Sequence, residues 1–290
     1  MPVAPTTLTL KQAASKLDVH YMTVYRYVRI GRLPATRQGA EWRVLASDVA
    51  KLSRDANRSK SRRAGAKKPK ADPKGLERRL LAGDSAGAWW LIESGLAQNL
   101  DPTGVMVEMI VPAMQSIGAR WAAGELSVAD EHRATAVAQR LVGRLGLQFG
   151  RPGKSRGTVV LAAPAGDLHI LPVAITADLL RWRGFEVAEL GANTPAESVA
   201  DAAELSDRLV SVGIVSTTTG YDAEVAAAIR AVHARIPDVT VMVGGSAIRD
   251  EEHTRGLGAD VFTGSGPMAV VDSVERMVPP SRANRRRHVA

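Results

Sequence analysis

From residue 158 onward, short apolar runs alternate with amphipathic stretches of helical period. No other feature of the chain constrains its fold as strongly. The runs are TVVLAAP (158–164), FEVAELG (185–191), LVSVGIVSTT (209–218), VTVMVGG (239–245) and ADVFTGS (259–265). Between and after them lie LPVAITADLLRWRG, PAESVADAAELSDR, DAEVAAAIRAVHARIP, a short stretch near RDEEHTRGLG, and PMAVVDSVERMV. Apolar runs this short, each followed by a helix, predict a flavodoxin-like, doubly wound parallel sheet of five strands covered on both faces. Ligands of such sheets sit beyond the carboxyl ends of the strands, near the point where strand order reverses. At that edge the chain places GDLH (166–169), STTTG (216–220) and VGGSA (243–247).

Upstream, residues 76–150 read as helices: LERRLLAG, SAGAWWLIESGLAQN, PTGVMVEMIVPAMQSIGARWAAG and SVADEHRATAVAQRLVGRLGLQ. Four amphipathic helices with short Gly- or Pro-containing loops predict a four-helix bundle. Where the third meets the fourth stands WAAGELSVADEH: Trp121, nine residues, then Glu131-His132. By itself this junction reads as packing plus a hydrogen bond. The bundle is separated from the sheet by the seam FGRPGKSRG (149–157).

The first quarter differs in charge. Residues 1–75 hold 17 Lys and Arg against 5 Asp and Glu, and the remaining residues hold 21 against 25, so the net +8 belongs to the head. Such an asymmetry points to a polyanionic partner, with nucleic acid the first candidate because bound phosphates release counterions. Residues 54–75 carry no apolar side chain larger than alanine and read as a flexible basic linker. A basic tail, 281–290, ends the chain. There is no cysteine, which excludes disulfides and thiol chemistry. No apolar run reaches the ~20 residues of a membrane span, and no signal peptide is evident, so a cytoplasmic protein is expected.

Within 1–53, LTLKQAASKLDVHYMTVYRYVRIGRLP (8–34) has the period of helix, turn, helix, ending at Gly31. RLPATRQGAEWRVLASDVAKL (32–52) reads as a two-stranded wing followed by a helix capped by Ser47. This head resembles the excisionase-type winged helix-turn-helix domains related to the MerR class. In that fold the second helix enters the major groove, which nominates His20, Tyr21, Thr23 and Arg26 for DNA contacts and Arg37 and Arg43 in the wing.

Asp-x-His after the first strand, Ser-x-Thr after the third and Gly-Gly after the fourth resemble the cobalamin-binding domain. The resemblance implies that His169 ligates cobalt from below and that Asp167 accepts its other ring N–H. It also implies that Ser216 and Thr218 bond the nucleotide tail and that Gly244 and Gly245 give it room. A neutral imidazole suits such a metal, and a carboxylate partner fixes its tautomer. The bundle with Trp121, Glu131 and His132 resembles the cap of light-sensing, adenosylcobalamin-dependent repressors, the CarH and LitR group, in which these residues surround the adenosyl group. The resemblance covers nearly the whole chain. It implies a cobalamin-dependent, light-responsive transcriptional repressor, a homo-oligomer and DNA-binding protein that is not an enzyme and has no membrane partner. Two positions depart from the pattern: Pro172 replaces the motif glycine beside the tail, and Ala122 stands where some photoreceptors carry a cobalt-ligating histidine. Two other readings stay open. One is a corrinoid methyl carrier; the other is a regulator of the same fold that senses a different signal, with Pro172 as its mark.

Overall fold

The computed structural model describes residues 7–17, 19, 21–29, 33–38, 41–53, 71–150 and 154–278. The chain divides into two compact units, Met1–Pro69 and Lys70–Ala290.

In the first unit, strand β1 (Thr7–Thr9) runs into helix α1 (Leu10–Leu17). Thr9 Oγ1 accepts from the Gln12 amide (3.2 Å) while Gln12 Oε1 accepts from the Thr9 amide (2.9 Å), a reciprocal capping box that starts the helix. Helix α2 (Tyr21–Arg29), strands β2 (Ala35–Gln38) and β3 (Glu41–Leu45) and helix α3 (46–53) follow. Leu10, Ala13, Ala14, Val24, Leu33, Val44 and Val49 form the small core. The predicted wing is a three-stranded antiparallel sheet among the described residues, in the order β1-β3-β2. The sequence pattern assigned Thr7–Thr9 to no strand, but its Thr-Leu-Thr alternation pairs with Arg43–Leu45. Ser47 lies one residue inside α3 and so is not its cap. Gly31, His20, most of the linker and the tail lie outside the described residues.

In the second unit, α4 (Pro73–Leu81), α5 (Ser85–Ala97), α6 (Pro102–Val105) and α7 (Val111–Ala122), the last two joined by a π turn at Met106–Ile110, and α8 (Val128–Gly146) form the bundle. Asp72, Asp84 and Asp101 each cap a helix by accepting the amide three residues on. Because α4 already begins at Pro73, the linker expected over 54–75 stops short of its predicted end. Pro112 has no N–H to give the preceding turn, and the widened π turn lies directly before it. A reciprocal Ser127–Asp130 box opens α8. Leu76, Leu80, Ile92, Met109, Ile117, Val137, Leu141 and Leu145 fill the bundle core.

Parallel strands β4 (Thr158–Pro164), β5 (Glu186–Thr194), β6 (Leu209–Val215), β7 (Thr240–Gly244) and β8 (Val261–Phe262) lie in the order β5-β4-β6-β7-β8. Helices α9 (Ile170–Trp182) and α13 (Pro267–Met277) cover one face and share its core with the bundle; α10 (Ala196–Glu204), α11 (Asp222–Arg235) and α12 (Glu251–Leu257) cover the other. Phe149 meets the Trp182 ring edge-on at 5.8 Å, fastening the end of the bundle to α9. The order reverses between β4 and β6, so the crevice at the switch point lies beyond Pro164 and Val215. Among the described residues, no helix is long and apolar enough to cross a membrane.

Candidate functional site

The chain leaves β4 through a turn in which the Asp167 amide donates to Pro164 O (3.1 Å). Gly166 has φ +87°, and a Cβ there would lie 2.3 Å from the Tyr221 ring, so neither the backbone nor the space admits a side chain. The turn sends the Asp167 side chain inward, where none of it is exposed, and leaves the His169 side chain 55% exposed at the head of α9.

Every contact of the Asp167 carboxylate is an acceptor contact. Oδ1 accepts from His169 Nδ1 (2.7 Å) and the His169 amide (3.1 Å), and Oδ2 from the amides of Thr217 (2.8 Å) and Thr218 (3.4 Å). The Thr217 hydroxyl adds contacts at 3.3 and 3.4 Å. Burial pushes this carboxyl up, but the bonds from the imidazole and from the amides of Thr217 and His169 outweigh it and hold it at about 2. The same bond raises the His169 pKa against the effect of burial, with the charges of Asp167 and Glu131 adding to the rise. With Asp167 ionised, Nδ1 carries the proton of the neutral ring and Nε2 presents a lone pair at the crevice. A neutral imidazole held in one tautomer by a carboxylate is a donor suited to a borderline metal such as cobalt. Leu168 and Ile170, both exposed, flank it with apolar surface suited to a macrocycle.

Thr218 engages the same group: its hydroxyl lies 3.1 Å from His169 Nδ1. Ser216 is buried, its amide donating to Gly244 O (2.9 Å) and its carbonyl accepting from the Ala247 amide (3.2 Å). The space beside the two glycines is filled by protein. A Cβ on Gly244 would lie 2.1 Å from Thr263 Oγ1, and one on Gly245, at φ +107°, 2.1 Å from Ser216 O. Both therefore serve close packing of the strand ends. Pro172 sits in the first turn of α9, where a missing N–H costs nothing, and its carbonyl accepts from Thr176 Oγ1 (2.7 Å). The donor set thus fits a corrinoid.

Thr217 was not singled out in the sequence, although it supplies both an amide and a hydroxyl to Asp167. Its signal was its place between the two residues of the Ser-x-Thr pattern.

From the bundle, Trp121 is the penultimate residue of α7 and is 46% exposed, while Glu131 closes the first turn of α8 and His132 follows it. Glu131 Oε1 accepts from Thr135 Oγ1 (2.5 Å), and His132 is exposed. The charge of Glu131 adds a small part to the rise of the His169 pKa. Among the described residues, no group of three or more His, Asp or Glu could hold a metal ion by itself.

In the first unit, Tyr21 opens α2 and is 44% exposed, and Thr23 is half-buried one position beyond Met22. Arg26 lies on α2, with its side chain outside the described residues. Arg37 is exposed on β2, while Arg43, half-buried on β3, stands opposite Thr9 and Thr36.

Comparison with known proteins agrees with this division. Residues 74–145 and residues 157–273 each match a family model described as a B12 binding domain. Residues 7–54 match a helix-turn-helix domain. The chain is 27% identical over 196 residues to trimethylamine corrinoid protein 1 of Methanosarcina acetivorans, covering 64% of this chain and 87% of that protein. It is 25% identical over 180 residues to the dimethylamine corrinoid protein of Methanosarcina barkeri, covering 61% and 84%. The solved monomethylamine corrinoid protein of Methanosarcina barkeri superimposes with a TM-score of 0.61 at 17% identity, over 69% of this chain and 96% of that one, a likeness that shows the fold. The chain combines B12-binding domains with an N-terminal helix-turn-helix domain, and these matches support a corrinoid cofactor.

Proposed function

We propose that this protein is a cobalamin-dependent transcriptional regulator of the CarH and LitR kind, in which the state of the corrinoid site sets self-association and thereby DNA binding. The observation that carries the reading is the Asp167–His169 pair at the switch point, on the same chain as a helix-turn-helix match. His169 would offer Nε2 to cobalt while Asp167 and Thr218 hold its ring and Thr217 holds Asp167. Trp121, Glu131 and His132 would line the upper side. Bound adenosylcobalamin supplies a light-labile cobalt–carbon bond. One small head binds DNA weakly; several heads on one assembly bind adjacent sites with an avidity no single head has. The reading includes no enzymatic activity.

The test is gel filtration and DNA binding of the full chain in three states: cobalamin-free, loaded with adenosylcobalamin in the dark, and loaded then illuminated. The dark, loaded protein should be larger and bind DNA more tightly than the other two. Identical size and affinity in all three states would refute the regulator.

A second reading, a corrinoid methyl carrier, is supported by the curated relatives, which are methylamine corrinoid proteins. It gives the basic head no task. Methylation of the bound corrinoid by a partner methyltransferase, with no DNA binding in any state, would favour it.

A further inference from the structure

We infer that Asn193 is a positioning residue for His169, acting from the neighbouring strand; the inference rests on the corrinoid reading of the site. Strand β5 loses register with β4 near its end. Ala162 stands opposite Gly191 and Pro164 opposite Thr194, so β5 fits extra residues into this stretch. Two residues of this bulged stretch are left-handed, Gly191 at φ +80° and Asn193 at φ +52°. Bulges re-aim side chains beside active sites, and asparagine is among the few non-glycine residues that tolerate this backbone region.

The bulge aims Asn193 at the turn that presents the site. Its Oδ1 accepts from the Gly166 amide (2.8 Å), and its own amide donates to Asp167 O (2.8 Å). The acceptor is unambiguous, because the Gly166 group is an N–H. Asn193 therefore holds the Asp167 residue on both sides along the main chain, while Thr217 and Thr218 hold its carboxylate. The β6 loop fixes where the carboxylate points, and Asn193 fixes where the turn carrying it sits. Backbone strain of this kind at the edge of a site, with the side-chain oxygen and the main-chain N–H both spent on the site's turn, is the pattern of a pre-organising residue. No substrate or cofactor contact is assigned to Asn193; it acts through Asp167.

The test uses the full-length protein reconstituted with hydroxocobalamin, with part of it reduced to the cobalt(II) form. Asn193→Gly keeps the left-handed backbone and removes the acceptor. Asn193→Asp keeps the acceptor and tolerates the backbone. His169→Ala supplies the spectrum of the unligated state. In wild type, the cobalt(II) electron paramagnetic resonance spectrum should show nitrogen splitting from imidazole. In Asn193→Gly the ligated fraction should fall below about half and hydroxocobalamin should bind about tenfold more weakly, equivalent to about 1.4 kcal/mol. Asn193→Asp should stay within about twofold of wild type. A melting temperature of Asn193→Gly close to that of wild type separates positioning from folding. If the glycine variant is unstable, Asn193→Ala, which also removes the acceptor, carries the same comparison. Full imidazole ligation and unchanged affinity in a folded Asn193→Gly or Asn193→Ala variant would overturn the inference while leaving the corrinoid reading intact. Failure of wild type itself to take up hydroxocobalamin would overturn both.

Discussion

Replacing Asp167 by asparagine tests the centre of the site without cofactor. The wild-type carboxylate accepts at both oxygens: the imidazole and His169 amide on one side, the Thr217 amide on the other. An asparagine can offer an oxygen to only one side and must turn its NH2 toward donors on the other. The carboxyl sits at about 2 in the fold against 3.8 for the free group, a depression linked to about 2 kcal/mol of stability. The sign follows from the direction. A depressed carboxyl stabilises the fold fully above 3.8 and loses that contribution as pH falls through about 2. His169 is shifted upward, first by its bond to Asp167, so its contribution is complete below 6.5 and is lost as pH rises through its folded value. The two shifts describe one pair and count once. The stability of wild type minus that of Asp167→Asn should therefore climb between about pH 2 and 4, hold near 2 kcal/mol to about pH 6.5, and shrink above. Urea unfolding of both proteins at a series of pH values measures it, and the subtraction removes every other titrating group common to both. The variant should also bind hydroxocobalamin about 10- to 100-fold more weakly, as removal of a carboxylate behind a ligating histidine does elsewhere. A difference that stays flat with pH, or a variant as stable as wild type at pH 5, would show that the pair is not ionised as described.

Gly245→Ala should destabilise the sheet unit by about 3 kcal/mol or more, since a left-handed backbone and a 2.1 Å approach to Ser216 O leave a Cβ no room. A loss under about 1 kcal/mol in urea unfolding would mean that the strand ends rearrange freely. Asp178, buried in α9 and ion-paired with Arg181 at 3.0 Å, has its pKa raised, first by burial and against the bond from Arg181, so its ionised form strains the fold. A raised carboxyl favours the fold below its unfolded value of 3.8 and loses that advantage as pH rises through the folded value. Asp178→Asn should therefore gain stability relative to wild type at pH 7 and lose that gain as pH falls toward 3.8. An equal difference at pH 7 and pH 4 would refute the assignment.

The layers of this protein were legible because burial writes period into sequence. TVVLAAP is the strand over 158–164 to the residue, and all four bundle helices begin within a few residues of their Asp or Ser caps. Asp167 and His169 were legible because two polar residues ending an apolar strand need a reason to be there. Strand β1 escaped notice because three residues carry too little alternation to stand out beside the helix that follows. The glycines at 244 and 245 were read as space for a ligand, since sequence shows that a side chain is missing but not what fills the gap; Thr263 and the Ser216 backbone fill it. Asn193 and Thr217 were invisible for a related reason. Their bonds reach back 27 and 50 residues to the β4 turn, and the only local mark on either is the place of Thr217 inside the Ser-x-Thr pattern.

The same long-range packing ties the two faces of the site together. Helix α9 begins at His169 and ends at Trp182, against Phe149 just past the end of the bundle. Helix α8 begins at Val128, carries Glu131 at the end of its first turn and His132 next to it, and ends at Gly146, where a Cβ would lie 2.9 Å from Asp178 Oδ2 of α9. The two helices that carry His169 and Glu131 are thus fastened near their far ends, while at their near ends the charge of Glu131 adds to the rise of the His169 pKa. Whatever enters between those near ends must work against one fastened joint.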